Sequence, residues 1–183
     1  MDLSEFLFTV PHVLSSAECR SYIETCEAKG FEPALILTAS GQERRGDIRS
    51  NSRVIIQSGE IANEWWSRLA RAKIPVVNGR KPVGLNSQLR FYRYDRGEEF
   101  GLHQDGHNET ADGERSFFTL MIYLNEGFQG GTTSFPSLGM SITPQTGLAL
   151  LFRHEIEHEG SPVTAGRKYA VRTDVMYEAG GRA

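Results

Sequence analysis

The residues Tyr94-Asp95-Arg96-Gly97-Glu98-Glu99-Phe100-Gly101-Leu102-His103-Gln104-Asp105 end in an H-x-D pair, and a further histidine, His158, follows far downstream. Two histidines and one carboxylate make a facial triad, a ligand set that usually holds Fe(II). Alternate residues of a strand face the same way, so His103 and Asp105 are expected to grip one ion from one strand while a second strand delivers His158. Such a site leaves three coordination positions open to other molecules.

The same stretch has the form Y-x-x-G-x-x-[YF]-x-x-H-x-D. Ser116–Asn125 (SFFTLMIYLN), Gly130–Pro136 (GGTTSFP), Pro144–Phe152 (PQTGLALLF) and His158–Lys168 (HEGSPVTAGRK) follow it in order. From Leu85 to Tyr177, about half the chain, these segments resemble the prolyl 4-hydroxylase branch of the 2-oxoglutarate/Fe(II) dioxygenases. The resemblance implies a mainly β fold with flanking helices around a double-stranded β-helix, or jelly roll. It implies Fe(II) on the catalytic residues His103, Asp105 and His158, with 2-oxoglutarate and O2 as co-substrates and ascorbate a candidate reductant. It also implies hydroxylation of an unactivated C–H bond, coupled to decarboxylation of 2-oxoglutarate to succinate and CO2.

Lys168, ten residues after His158, falls where the family places the cation that pairs with the distal carboxylate of 2-oxoglutarate. A dianion in a partly dry pocket needs such a partner. Arg167 is adjacent, but neighbouring strand residues face opposite ways and only one can point inward, so Lys168 is chosen. Tyr123 matches the family position whose phenol reaches the same carboxylate, and Tyr94 one that lines the co-substrate pocket. If Tyr123 is inward, Phe117, Thr119 and Met121 share its face; if Tyr94 is inward, Tyr92, Arg90 and Gln88 share its face.

Substrate identity is less constrained. Arg90 and Tyr92, the alternating set Arg49, Asn51 and Arg53, and Arg172 with Asp174 on the face of Lys168 are candidate substrate residues suited to an acidic or peptide-like molecule. A peptidyl or protein prolyl residue leads by resemblance, with a free amino acid or other small metabolite second. A metal-dependent binding module without turnover would not need Lys168 and Tyr123 beside the open metal positions. An enzyme on alkylated nucleic acid should show a basic groove with stacking aromatics, which the net charge of −3 disfavours.

His154-Glu155-Ile156-Glu157-His158 also reads H-E-x-x-H, a zinc-protease signature, with Glu178 at a spacing one protease class uses for a third ligand. That motif binds zinc only on a helix. Leu148–Phe152 prefers a buried strand while Gly160 and Pro162 close the other side, so too few residues remain for a helix. As a strand the segment sends His154, Ile156 and His158 to one face, leaving His154 a rim or loop residue.

The chain has 183 residues, 39% of them hydrophobic, enough to bury one core without metal or disulfides. One domain, 1–183, is expected, with supporting structure over 1–84 and the catalytic core over 85–178. No segment is long and apolar enough to span a membrane, so a cytoplasmic protein is expected, of unspecified oligomeric state. Cys19 and Cys26 lie about 10 Å apart along a predicted helix, too far for a mutual disulfide.

Ser15-x-x-Glu18 resembles a capping box, and with Gly30 as a stop it predicts a helix over Ala17–Lys29. A second helix is predicted from just after Ser58 to about Ala72, with Trp65 a core residue. Phe31–Leu37 and Arg53–Gln57 read as strands around a polar loop, Ala39–Ser52, which is a candidate substrate lid. Gly130-Gly131 fits a tight turn before the strand that ends at Phe135.

Overall fold

The computed structural model describes residues 5–38, 41–43 and 45–180. In chain order its strands are β1 (Leu7–Val10), β2 (Glu32–Pro33), β3 (Ile36–Thr38), β4 (Gly41–Glu43), β5 (Ser52–Gln57), β6 (Pro82–Leu85), β7 (Gln88–Tyr94), β8 (Phe100–His103), β9 (Arg115–Tyr123), β10 (Gln129–Gly130), β11 (Thr133–Phe135), β12 (Met140–Ile142), β13 (Ala149–Arg153), β14 (His158–Gly160), β15 (Val163–Ala165) and β16 (Lys168–Tyr177). The helices are α1 (Ser16–Lys29) and α2 (Gly59–Arg68). The larger sheet runs β1-β13-β9-β16-β7-β5-β2, with β6 on the end of β16, and the smaller runs β12-β11-β14-β8. Two antiparallel sheets in this order form the expected jelly roll. Because β1 pairs with β13 and β5 with β7, segments on both sides of residue 85 share the larger sheet.

β16 is central and nearly all its residues are buried, because α1 and α2 cover one face of its sheet and the smaller sheet covers the other. On the helical side Cys19, Cys26, Trp65 and Leu69 pack with Phe91, Phe118, Leu120 and Val171. Trp65 meets Tyr22 edge-on at 5.5 Å, so its role is core packing. Truncating it to Ala is expected to destabilise by about 3–5 kcal/mol. Between the sheets, Phe135, Leu150 and Phe152 form a second cluster. Both cysteines are free, and burial pushes each thiol up to about 11. Among the described residues no helix is long and apolar enough to cross a membrane.

The capping box at α1 is present in both directions, and Gly30 stops the helix at φ +83°. The second helix ends at Arg68, four residues before the predicted end. Leu69 N–H donates to both Trp65 and Trp66 carbonyls, and Ala70 and Ala72 bond three residues back, so the chain tightens into turns there. The predicted strand Phe31–Leu37 divides into β2 and β3, since Ala34 N–H pairs with Asn51 while Ile36 turns to the β3–β4 hairpin. Of the candidate lid, residues 39, 40 and 44 lie outside the described residues. Its later part joins the smaller sheet: Arg49 bridges Phe100, Gly101 N–H donates to Ile48 (2.8 Å) and Ser50 N–H to Glu99 (3.1 Å).

One alternation fails. The β16–β9 register shifts between Val175 and Met176, so Phe118 pairs with Val175 and Ser116 with Met176. This bulge takes Phe117 off the predicted inward face. Phe117 instead packs edge-on against Tyr177 at 5.1 Å, while Thr119, Met121 and Tyr123 stay opposite Asp174, Arg172 and Ala170.

Candidate active site

His103 ends β8 and His158 begins β14, paired in the smaller sheet. Asp105 comes not from the strand itself but from the irregular segment beyond it, pinned by its N–H to the His154 carbonyl at 3.0 Å. One ligand atom from each of His103, Asp105 and His158 lies within 4.8 Å of the others. His103 Nε2 is 3.7 Å from Asp105 Oδ1, and His158 Nε2 is 3.7 Å from Asp105 Oδ2. Each imidazole meets a carbonyl through Nδ1, Gly101 at 2.8 Å and Ile156 at 3.0 Å. A carbonyl only accepts, so Nδ1 carries the proton and Nε2 is left as a lone-pair donor. Burial lowers both histidines, His103 to about 4, keeping the rings neutral. Two imidazole nitrogens and one carboxylate fit Fe(II).

Behind Asp105 stands a polar network. Thr119 Oγ1 donates to Asp105 Oδ2 at 2.5 Å and faces His154 Nδ1 at 3.0 Å, while His154 Nε2 faces Ser116 Oγ at 2.9 Å. Since the threonine proton goes to the carboxylate, His154 must donate through Nδ1 and accept from Ser116. On the other side Arg172 reaches Asp105 at 3.2 Å and Asp174 at 3.0 Å; Asp174 also takes Arg90 at 3.3 Å and Asn108 Nδ2 at 2.6 Å. Burial raises the Asp105 carboxyl, but Arg172, His158, the Thr119 hydroxyl and His103 outweigh it, bringing it down to about 2.

Of the two alternatives for His154, rim or loop, the loop holds and the rim does not, and the residue is not on a strand with His158. It is 6% exposed, in the turn between β13 and β14, where it supports the carboxylate. The H-E-x-x-H segment is not helical, as expected, and its first histidine stands in this network apart from the ligand cluster.

A narrow pocket opens beside the triad, lined among others by Tyr92, Tyr94, Met121, Thr133, Lys168 and Arg172. Lys168 is 2% exposed; its ammonium donates to the Gly131 carbonyl at 2.6 Å and lies 5.1 Å from the Tyr94 ring and 5.6 Å from that of Tyr123. Burial brings it down to about 7. Arg167 points away, pairing with Asp95 and lying 3.7 Å from Glu27, so the alternation argument holds. Tyr123 is fully buried, its hydroxyl 2.7 Å from Thr133 Oγ1.

Of the candidate substrate residues, Tyr92 and Arg172 line the cavity and Arg90 buttresses Asp174. Arg49 packs over the Tyr92 and Phe100 rings; Asn51 accepts from Arg49 Nε at 2.7 Å and donates to Ser52, while Arg53 pairs across strands with Tyr92. Sequence reasoning missed Thr133, Phe100, Ser116 and Asn108. Thr133 was within reach, because it shares a strand face with the buried Phe135. Ser116 was not, since only the bulge turns it inward.

The sequence pattern of the 2OG-Fe(II) oxygenase superfamily matches residues 89–173, which span the triad and Lys168. Prolyl 4-hydroxylase 2 of Arabidopsis thaliana is 22% identical over 205 residues, covering 89% of this chain and 64% of that protein. The chain thus spans just under two thirds of that relative's length. Among solved structures, a Pseudomonas putida prolyl-4-hydroxylase superposes with TM-score 0.69 at 24% identity, covering 95% of both chains. A Trichoplax adhaerens prolyl hydroxylase, in complex with a hypoxia inducible factor peptide fragment, superposes with TM-score 0.68 at 19% identity, over 93% of this chain and 83% of that one. At these identities the likeness of structures speaks for the jelly roll, and the sequence match for the enzyme class that uses Fe(II), 2-oxoglutarate and O2. Over residues 89–173 the chain is similar to the 2OG-Fe(II) oxygenase superfamily, and over most of its length it is similar to proteins named as prolyl 4-hydroxylases.

Proposed function

We propose that this protein hydroxylates a prolyl residue of a peptide or protein, with Fe(II) held by His103, Asp105 and His158. The observation that carries the reading is the convergence of those ligand atoms within 4.8 Å at a cavity that also contains the buried ammonium of Lys168. Bound Fe(II), with 2-oxoglutarate and O2, supplies the oxidising chemistry that yields succinate, CO2 and a hydroxylated carbon.

The chain's own residues position and shield. Lys168 pairs with the distal carboxylate of 2-oxoglutarate through one of its three N–H groups while another keeps the Gly131 carbonyl. Tyr94 lines the co-substrate's place, and Tyr123 acts there together with Thr133, its hydroxyl partner. Thr119 and Arg172 hold the two oxygens of Asp105 in a fixed plane. Phe135 and Phe152 pack against the His158 ring at 5.8 and 4.4 Å and keep water from that side. Asp105 and the imidazoles need transfer no proton.

The test is incubation of the purified protein with Fe(II), ascorbate and 2-oxoglutarate over prolyl peptides and free amino acids, following succinate and oxygen incorporation by mass spectrometry. Hydroxyproline formed in a peptide supports the reading. Substrate-coupled turnover confined to free amino acids overturns its peptidyl part.

A further inference from the structure

We propose that Arg49, with Arg53 and Arg172 around the Tyr92 phenol, forms a carboxylate-binding subsite, so that the substrate presents a carboxylate near the carbon it offers for hydroxylation. The inference rests on the hydroxylase reading above and deepens it by naming a substrate class.

Arg49 is 7% exposed. Its Nε donates to Asn51 at 2.7 Å, and its guanidinium lies 4.7 Å from the Tyr92 ring and 4.4 Å from the Phe100 ring. Its Nη2 is buried with no hydrogen-bond partner. Arg53 is half-buried, directly across from Tyr92, and among the described residues neither Arg49 nor Arg53 has an ion-pair partner. The carboxylates of this wall are already engaged, Asp105 by Arg172 and Asp174 by Arg172 and Arg90. Burying a guanidinium without a counter-charge is unfavourable, and packing against two aromatic faces offsets only part of that. The Nη edge of its fork, where Nη2 is unpartnered and the Tyr92 phenol is the polar neighbour, suits a carboxylate, which accepts two parallel hydrogen bonds.

The surrounding potential agrees. Burial raises the Tyr92 phenol, yet Arg49, Arg172 and Arg90 together bring it below its ordinary value. The position is also close to the chemistry. Phe100, the ring under Arg49, stacks on the His103 imidazole at 3.6 Å, and Arg49 bridges Phe100 along the edge of the sheet that carries both histidines. A carboxylate on Arg49 would sit one aromatic ring from a ligand of the proposed metal.

The experiment uses protein loaded with Zn(II) and saturated with 2-oxoglutarate, and reads binding by calorimetry. The probes are propionate against propionamide; a prolyl peptide with glutamate beside the proline and an amidated end; its glutamine counterpart; and that glutamine peptide with a free C-terminal carboxylate. Carboxylate-bearing probes are expected to bind at least about tenfold tighter than their amides. Whichever peptide gains shows whether the carboxylate comes from a side chain or a chain end. Arg49→Gln should reduce the preference to within about twofold while 2-oxoglutarate affinity is kept, and Arg53→Gln, at a half-buried position that tolerates change, should reduce it by about threefold. Equal binding of acids and amides, or a preference that survives both substitutions, overturns the subsite. Arg49-dependent propionate binding with no peptide bound would sustain the subsite and sink the peptidyl reading instead.

Discussion

His103 and His158 are direct cross-strand partners in the β8–β14 ladder, their ring centroids 4.3 Å apart. In an antiparallel pair, side chains opposite one another project from the same face, so the register sets the spacing of two proposed ligands before any metal arrives. The shift just beyond, between His158 and Gly160, ends that pairing at the site.

Replacing His103, Asp105 or His158 by Ala should abolish Fe(II)-dependent turnover in a protein that still folds, because each removes one of three protein ligands. Asp105→Ala should also lower the apoprotein melting temperature more than His103→Ala does, since it takes from Arg172 one of its two carboxylates. Metal titration with Mn(II) and a thermal melt check both parts. Wild-type turnover in any of the three would remove that residue from the triad.

His154→Ala should weaken metal binding by about 10–100-fold without eliminating it, because the ring holds the Thr119 hydroxyl that holds Asp105. Thr119→Val should do the same through the same oxygen. If His154→Ala loses metal as completely as His158→Ala, His154 is a ligand and the network reading is wrong.

Lys168→Ala should weaken 2-oxoglutarate binding by roughly thirty-fold or more, the equivalent of about 2–5 kcal/mol for an unpaired buried carboxylate. Arg167→Ala should leave it nearly unchanged, its guanidinium being turned toward Asp95 and Glu27. Titration of 2-oxoglutarate into Mn(II)-loaded protein without oxygen measures both. The reverse ranking would put the cation of the site on the wrong strand face.

Legibility followed regularity. The inward positions of Tyr94, Tyr92 and Lys168 were readable because β7 and β16 pair without interruption over that stretch, and period two carries from one residue to the next. The α1 boundaries were readable because the capping box and Gly30 are local signals. Phe117 and His154 were not, because a bulge and a turn change the facing of a residue without a mark in its neighbours. The part of the site built from Arg49 depends on residues 48–50 lying along β8, a contact across some fifty positions that periodicity cannot supply.

Binding of 2-oxoglutarate should weaken as pH rises above 7. Lys168 titrates at about 7 in the folded protein, lowered by burial from 10.5. A dianion needs the charged form, so above pH 7 binding must take up a proton, and affinity falls by up to about tenfold per pH unit. The same shift has the opposite sign for the free protein: between pH 7 and 10.5 the unfolded chain holds a proton the folded one lacks, so this group makes stability rise with pH. Lys168→Met should flatten both trends. Calorimetry in buffers of different ionisation heat counts the proton, and no uptake at pH 8 would mean that Lys168 is already charged in the empty cavity.

Gly131→Ala should impair the same cation without touching its charge. Gly131 has φ +66°, and a Cβ there would lie 2.9 Å from the Phe128 ring and 3.2 Å from Lys168 Cδ. The left-handed backbone alone costs about 1 kcal/mol for a residue with a Cβ. Relief of the contact must come from Phe128, from Lys168, from Val163, whose Cγ2 is also 3.2 Å away, or from the turn, and the turn also supplies the carbonyl that the ammonium uses. The expected outcome is a lower melting temperature together with weaker 2-oxoglutarate binding and unchanged metal affinity, because the ligands lie on β8, β14 and the segment after β8. Melting curves and paired titrations of metal and co-substrate separate these effects. Should co-substrate affinity stay at the wild-type level while stability falls, the Gly131 carbonyl has no part in placing Lys168.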